Sequence, residues 1–159
     1  ATGLPGPVGV AGNSYGGFSA WWQITRSADL VAAAIPMCGM YKLEIDYAET
    51  GMPWGQSYSQ EMMGGSPDEV PQKYANASPG NFIGQIRGHV MVVHGLADTN
   101  VGPENTHAAA RELAAAGIPH QVMLFDDEGH GVFRRTNVET YLSATERFLA
   151  DAFRAGAWR

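Results

Sequence analysis

The chain has 159 residues, a length that suits one domain and is sufficient to bury a core without cross-links. Its 16 acidic and 10 basic residues give a formal net charge of −6, which argues against nucleic acid or anionic lipid as the main partner. The single cysteine excludes an internal disulfide framework, and no apolar run approaches the roughly 18 residues that a membrane span needs.

The chain begins with a predicted strand, helix and strand. Val8–Gly12 is a short buried strand, and Tyr15–Arg26 follows as a helix with two tryptophans and an isoleucine for packing. Leu30–Met37 is a continuous apolar run, which is typical of a strand covered on both faces. Residues 38–80 are rich in glycine, proline, serine and aromatic residues, so they predict an irregular insertion. Two short helices are predicted within it, near Lys42–Thr50 and Ser66–Tyr74.

The second half alternates strands with helices. His89–His94 and His120–Phe125 are predicted apolar strands, separated by an alanine-rich helix over Gly102–Ala116. Thr136–Phe153 shows apolar residues at helical spacing and predicts a closing amphipathic helix. This alternation predicts a parallel sheet with right-handed crossovers, and therefore an α/β fold. Nothing marks a domain boundary, so residues 1–159 are interpreted as one unit.

A nucleophile motif lies between the first strand and the first helix. Gly12-Asn13-Ser14-Tyr15-Gly16 fits the pattern G-x-S-x-G. In this arrangement a sharp strand-to-helix turn exposes the serine hydroxyl, and small glycines let neighbouring backbone approach closely. The backbone amide of Tyr15 then faces the oxyanion that develops during acyl transfer. The alternative interpretation is a glycine-rich structural turn without chemistry.

A serine nucleophile needs a base, and the base needs a carboxylate that fixes its tautomer. Asp98 follows the strand that ends at His94, and His130 follows the last strand. Because the loops after parallel strands gather at one edge of the sheet, Ser14, Asp98 and His130 are expected to lie together. Their order along the chain is the Ser, Asp, His order of α/β-hydrolases.

Other titratable residues are assigned structural roles. Three acids are too close to His130 in sequence to orient it easily and are expected to be solvated loop charges, namely Asp126, Asp127 and Glu128. Asp29 is expected at the surface, and Cys38 is expected to be a small buried hydrophobe. His94 is expected to form local hydrogen bonds, while the remaining histidines, His89, His107 and His120, are expected at strand edges or on a helix surface. No spacing matches a metal-ligand motif, so neither a metal nor another cofactor is expected.

Three segments of the chain resemble the catalytic blocks of the prolyl oligopeptidase family of serine peptidases. These are Gly12-Asn13-Ser14-Tyr15-Gly16-Gly17, His94-Gly95-Leu96-Ala97-Asp98-Thr99-Asn100-Val101 and Asp127-Glu128-Gly129-His130-Gly131. The resemblance extends over essentially the whole chain, and the second block looks most like the dipeptidyl-peptidase branch, with the acylaminoacyl-peptidase branch close behind. It implies the carboxyl-terminal part of an α/β-hydrolase domain.

The resemblance also implies roles for individual residues. Ser14 corresponds to the nucleophile, Asp98 to the residue that orients the base, and His130 to the general base and acid. The Tyr15 amide corresponds to an oxyanion donor, and the Tyr15 ring, Asn100 and Val101 correspond to substrate-binding residues. Family members also place specificity aromatics in the insertion, where this chain has Tyr47, Trp54 and Tyr58, but core packing is the expected role of each.

The chain departs from the family pattern in several ways. The strands that precede the nucleophile strand and the β-propeller are absent from these 159 residues, and with them go the second oxyanion donor and the acids that hold a substrate's amino terminus. Asn13 stands where the family more often has an aromatic residue or glycine. The first strand should therefore present an uncovered edge, which in the parent chain adjoins those earlier strands. The compartment, cytoplasmic or periplasmic and secreted, and a homo-oligomeric state are left open.

Three functions remain under consideration. The first is a serine peptidase that hydrolyses short peptides through an acyl-enzyme on Ser14. The second is a carboxylesterase that uses the same residues, and the third is a non-catalytic, truncated hydrolase-like module. We expect these 159 residues alone to lack activity, because the loss of one oxyanion donor typically costs about 100- to 1,000-fold.

Overall fold

Four parallel strands form one sheet in the computed structural model, which describes residues 6–155. The strands lie side by side in chain order and are β1 (Val8–Asn13), β2 (Val31–Met37), β3 (His89–Gly95) and β4 (His120–Phe125). The predicted α/β class with a parallel sheet is confirmed. The ends of the predicted unit 1–159 lie outside the described residues, and that boundary stays a prediction.

The helices occupy the connections between the strands and the end of the chain. In order they are α1 (Tyr15–Arg26), α2 (Leu43–Glu49), α3 (Gly55–Met63), α4 (Pro71–Ala77), a short 3-10 helix (Pro79–Gln85), α5 (Glu104–Ala115) and α6 (Arg135–Ala155). Within the described residues, no helix is long and apolar enough to cross a bilayer.

Helices cover both faces of the central strands, as the unbroken apolar runs of β2 and β3 predict. On one face, α1 and α5 pack Trp21, Ile24 and Leu113 against Val90 and Val92 of β3. On the other face, α6 packs Phe148 and Ala152 against residues that alternate with these along the strands, such as Ile35 of β2 and Val93 of β3. Alternate side chains of a strand point to opposite faces, so one strand serves both cores.

β4 has the predicted bounds, but its apolar side chains are only partly covered. It is an edge strand of the described sheet, and Val122 and Leu124 each keep 37% of their surface exposed. β1 forms the opposite edge, and exposed and half-buried residues alternate along it. The expected uncovered edge at β1 is therefore present in the described part of the chain.

The insertion between β2 and β3 is more regular than predicted. Neither α3 nor the 3-10 helix was expected, and the helix expected over Ser66–Tyr74 begins instead at Pro71. The later start has a local cause. Glu69 accepts hydrogen bonds from the amide and hydroxyl of Ser66, which holds this stretch in turns, and proline is favoured in the first turn of a helix.

Candidate active site

Ser14 occupies the turn between β1 and α1 in a strained conformation. Its φ of 59° and ψ of −122° place it in a region that non-glycine residues rarely adopt. The Ser14 amide donates a 2.9 Å hydrogen bond to the carbonyl of Met37, at the end of the neighbouring strand. The turn is therefore anchored to β2, and the strain is held by the sheet.

The turn is tight because two glycines allow backbone to meet backbone. A Cβ on Gly12 would lie 2.5 Å from the carbonyl group of Gly16. A Cβ on Gly17 would lie 2.5 Å from the carbonyl oxygen of Met37. A larger residue therefore could not replace Gly12 or Gly17 without moving Ser14.

The structure brings Ser14, His130 and Asp98 into one hydrogen-bonded chain. His130 Nε2 lies 2.6 Å from Ser14 Oγ, and His130 Nδ1 lies 2.8 Å from Asp98 Oδ2. A carboxylate only accepts hydrogen bonds, so Nδ1 carries a proton and donates a hydrogen bond to Asp98. Nε2 is then free to accept the Ser14 hydroxyl proton. The three side chains, predicted from sheet topology, are arranged for proton transfer from serine to histidine.

Asp98 is held firmly in its loop after β3. It is only 5% exposed, and its Oδ1 accepts the amides of Asn100 and Val101 at 2.8 and 3.1 Å. Burial would raise the pKa of this carboxyl. Hydrogen bonds from His130, His94 and the Asn100 amide outweigh burial and hold the pKa well below its ordinary value. Asp98 therefore stays negative while His130 takes up a proton.

His94 contacts Asp98 in a way that sequence reasoning missed. Its Nε2 lies 3.2 Å from Asp98 Oδ2 and 3.0 Å from the Val101 carbonyl, and its Nδ1 lies 2.7 Å from Thr106 Oγ1. Both partners of Nε2 are acceptors, so Nε2 bears the proton and Nδ1 accepts from the threonine hydroxyl. The expected local hydrogen bonds are present, but the contact with Asp98, four residues along, was not anticipated. The available signal was that His94 lies at the end of β3 and Asp98 only four residues later, in the loop that follows.

The acids near His130 differ from one another. Asp126 and Asp127 are exposed, as expected for solvated loop charges. Glu128 is buried, and the expectation of a solvated charge was wrong for it. Its Oε1 accepts the amide of Arg134 and the side-chain amide of Asn137, so it joins the loop to the start of α6.

One cluster in the described residues combines metal-ligand atoms. Cys38, His94 and Asp98 are buried, and their ligand atoms lie within 4.8 Å of one another. The ligand atoms of this cluster are already used in hydrogen bonds. His94 Nε2 carries a proton and cannot bind a cation, and Asp98 Oδ2 accepts hydrogen bonds from His94 Nε2 and His130 Nδ1. Burial raises the pKa of the Cys38 thiol to about 12, so the thiol stays protonated at neutral pH. The donor set does not suit a cation.

A cavity of about 710 Å³ opens beside Ser14 and His130. Tyr15, Asn100 and Val101, the residues that the resemblance assigned to substrate binding, all line it. Tyr15 is also the first residue of α1, where a backbone amide has no carbonyl within the helix to bind. That amide is available to an oxyanion on the reacting carbon.

Two aromatics of the insertion line the cavity instead of the core. Trp54 and Tyr58 are 58% and 49% exposed and pack edge to face against each other at the cavity wall. The expected core packing was wrong for both, because α3 places them on its open side. Tyr47 does not line the cavity; it packs against Tyr74, and its hydroxyl accepts a hydrogen bond from Gln60.

Asp46 of α2 also lines the cavity, although no motif or spacing in the sequence singles it out. The walls around it are largely apolar, with Phe18, Met40, Leu43, Met52 and Met62 among the residues present. Burial, with repulsion from Asp98 and Glu49, raises the pKa of Asp46 to about 6, although the proximity of His130 lowers it in part. The cavity thus combines Ser14, His130 and one poorly solvated carboxyl.

Comparison with known proteins gives a consistent result. The family model described as the prolyl oligopeptidase family matches residues 5–156. The chain is 27% identical over 150 residues to dipeptidyl-peptidase 5 of Porphyromonas gingivalis, covering 89% of the chain and 22% of that protein. It is also 27% identical over 147 residues to dipeptidyl aminopeptidase BIII of Pseudoxanthomonas mexicana, covering 91% of the chain and 21% of that protein.

Solved structures agree on the fold. A puromycin-hydrolyzing peptidase of Mycobacterium tuberculosis has a TM-score of 0.84 and 25% identity, over 91% of this chain and 22% of that one. The acylaminoacyl peptidase of Pyrococcus horikoshii has a TM-score of 0.79 and 22% identity, over 90% of this chain and 24% of that one. The predicted α/β-hydrolase fold is confirmed. The chain spans about a fifth of the length of the curated relatives it matches.

Proposed function

The chain belongs to the prolyl oligopeptidase family, and on that premise we propose that it carries the catalytic centre of a serine peptidase that hydrolyses short peptides. The observation that supports the proposal most strongly is the hydrogen-bonded chain from Asp98 through His130 to Ser14. The relatives named above as dipeptidyl peptidases support a peptide substrate.

Acylation follows from the proton positions in this chain of hydrogen bonds. Ser14 Oγ attacks the substrate carbonyl carbon while its proton moves to His130 Nε2. The positive imidazolium that results is stabilised by Asp98, which is buried and negatively charged. The carbonyl oxygen becomes negative and accepts a hydrogen bond from the Tyr15 amide. His130 then gives its proton to the departing amine, and an ester on Ser14 remains.

Deacylation repeats these steps with water. His130 takes a proton from a water molecule as the oxygen attacks the ester carbon, and then returns that proton to Ser14 Oγ. The acid leaves and the starting hydrogen bonds re-form. The exposed opening of the cavity beside Tyr15 provides a route for water and product.

We propose that the free edge of β1 pairs with further strands of the parent protein. In the described sheet β1 pairs with β2 alone, and an open parallel edge is prone to non-specific pairing. The family resemblance assigns a second oxyanion donor to the segment that adjoins this edge, together with a propeller whose acids hold the amino terminus of a substrate. Substrate recognition by the whole protein then involves residues on both sides of the edge.

The peptidase proposal is tested by comparing amide with ester cleavage. The natural protein that carries this sequence is assayed with a dipeptidyl p-nitroanilide and with a short p-nitrophenyl ester, alongside Ser14→Ala. We expect turnover of the amide, and the loss of the triad serine should lower turnover on the order of a millionfold. Strong ester hydrolysis without amide cleavage would replace the peptidase by an esterase, and activity that survives in Ser14→Ala would overturn both.

A further inference from the structure

Asp46 is a carboxylate without a hydrogen-bond partner at its Oδ1, in a largely apolar cavity. Its Oδ1 is shielded from solvent, and in the described part of the chain no group donates a hydrogen bond to it. Leu43 and Met40 line the same cavity, as do Ser14 and His130. Buried carboxylates are ordinarily paired, because an isolated charge away from water is costly. This one has no role in the hydrogen-bonded chain of Ser14, His130 and Asp98.

The positive side chains nearest in sequence serve elsewhere. Lys42 forms a 2.6 Å ion pair with Glu112 of α5. Lys73 donates to the carbonyl of Met63 at 2.9 Å. Neither lysine is among the residues that line the cavity, and the lining contains no other lysine or arginine. Within the described residues, the carboxylate of Asp46 therefore shares its cavity with no lysine or arginine, and His130, which is hydrogen-bonded to Ser14 and Asp98, is the lining residue that can carry a positive charge.

The cavity suits a side chain with an apolar stem and a positive end. Methionine and aromatic side chains form much of the wall and match a chain of methylene groups, while Asp46 offers one negative group beside them. A single carboxylate is too few ligands for a metal ion, whereas an ammonium or guanidinium needs only one charged acceptor. Because the surroundings are apolar, the negative charge of Asp46 favours binding of a positively charged group strongly over a neutral group of the same shape.

We propose that Asp46 is a specificity-determining residue that receives an ammonium or guanidinium group from the substrate, next to the bond that Ser14 attacks. The inference rests on the proposed peptidase function, because it places the acyl part of the substrate in this cavity. Two parts of a peptide carry the required charge: the side chain of a lysine or arginine before the scissile bond, and a free α-amino group. The experiment separates these two sources.

The test uses peptidyl diphenyl phosphonates, which report the preference of the acyl site without requiring amide turnover. Ser14 Oγ attacks phosphorus, a phosphonate ester forms, and phenol leaves with the serine proton. Two N-acetylated reagents are compared: one carries a lysine side chain, and the other carries 6-hydroxynorleucine, which has the same length but no charge. The rate of adduct formation is followed by intact-protein mass spectrometry in the wild-type protein, Asp46→Asn and Asp68→Asn. Asp68 is an exposed acid outside the cavity and serves as the matched control.

We expect wild type and Asp68→Asn to react at least about tenfold faster with the lysine reagent, and Asp46→Asn to react with both reagents at rates within about twofold of each other. A second pair of reagents, norleucine phosphonate with a free α-amino group and the same compound N-acetylated, identifies the source of the charge. If the free-amino reagent reacts faster than its acetylated form in wild type, if this rate difference disappears in Asp46→Asn, and if the lysine reagent shows no preference, then the α-amino group is the cation that Asp46 receives. Equal rates for all reagents in wild type, or a preference that survives in Asp46→Asn, would overturn the inference.

Failure of the peptidase proposal takes one of two forms. If Ser14 is an esterase nucleophile, the phosphonates still react and the same comparison applies; if Ser14 is not activated, no phosphonate reacts with it, and the cavity is tested by binding alone. Ligand-observed NMR then compares butylammonium with 1-butanol on Ser14→Ala and on Ser14→Ala combined with Asp46→Asn. Tighter binding of the ammonium that depends on Asp46 would support the cation site, and equal binding of the two ligands would overturn it.

Discussion

Gly95 and Gly129 place the two loops that carry Asp98 and His130 in backbone contact. A Cβ on Gly95 would overlap the carbonyl oxygen of Gly129. A hydrogen bond of 2.9 Å from the Ala97 amide to the Glu128 carbonyl joins the same loops. The distance between the catalytic carboxylate and imidazole is therefore set by backbone packing, and not by the two side chains alone.

Gly95→Ala should separate these loops. We expect a loss of about 1–3 kcal/mol in the free energy of unfolding, typical of overpacking, together with a large loss of reactivity at Ser14. Gly129→Ala is the matched control, because the nearest atom to its added Cβ is 3.7 Å away. Urea unfolding and fluorophosphonate labelling measure the two effects. Equal effects of both substitutions would show that the contact does not position the loops.

Asp98→Asn should disfavour the tautomer of His130 that carries its proton on Nδ1, while the side chain at position 98 keeps its size and shape. An amide can donate to Nδ1 where the carboxylate only accepts, so Nε2 would no longer accept the serine proton. We expect turnover to fall on the order of 10⁴-fold. Asp126→Asn, which changes an exposed acid four residues before His130 and outside the cavity, should alter turnover less than about threefold. A comparable loss in both variants would contradict the assignment of Asp98.

His94→Phe should reveal a positioning role through Asp98. Without the Nε2 hydrogen bond, the Asp98 carboxylate keeps more of its negative charge for His130, which favours the imidazolium form that cannot accept the serine proton, so the low-pH limit of labelling at Ser14 should move to higher pH. His94→Gln, whose amide can still donate, should restore part of the wild-type profile. A merely structural role would lower the amount of folded protein in both variants and leave the pH profile of the folded fraction unchanged.

Much of the fold follows directly from the sequence. The helix over Tyr15–Arg26 and the strand over His120–Phe125 were predicted with the bounds that the structure has, because apolar periodicity dominates in both. The grouping of Ser14, Asp98 and His130 was predictable for a topological reason. All three follow parallel strands, and such loops meet at one edge of a sheet.

The insertion was less predictable, because distant residues hold it. The α3 helix lies between glycine-rich turns, and Gln56 on it donates to the backbone of Tyr47 in another helix. The placement of Trp54 and Tyr58 at the cavity depends on this packing, and local propensity does not encode it. Asp46 was missed for the same reason, since nothing in its own neighbourhood indicates that α2 turns it towards the nucleophile.

Asp46→Asn should stabilise the protein at neutral pH. The pKa of Asp46 is raised from 3.8 to about 6 in the folded state, so between these values the folded state binds more protons than the unfolded state. The free energy of unfolding contributed by this group therefore falls as pH rises through that window, and the full penalty applies above it. We expect the variant to gain about 1–3 kcal/mol at pH 8 and nothing near pH 3.

Denaturant unfolding at the two pH values measures this gain, with Asp68→Asn as the exposed control. If Asp68→Asn gains a similar free energy of unfolding, the effect comes from the change in net charge and not from the position of Asp46. A loss of stability in Asp46→Asn at pH 8 would mean that the carboxylate is favourably paired in the folded protein, contrary to its shielded and unpartnered Oδ1.

The central claim is that Ser14, His130 and Asp98 act together as a catalytic unit, and covalent labelling with a fluorophosphonate tests it most directly. The natural protein that carries this sequence is compared with Ser14→Ala and His130→Ala, with circular dichroism to verify that each is folded. The account predicts one adduct per chain, none in Ser14→Ala and a rate at least about a thousandfold lower in His130→Ala. Labelling that persists in Ser14→Ala, or a folded wild-type protein that takes no label, would contradict it.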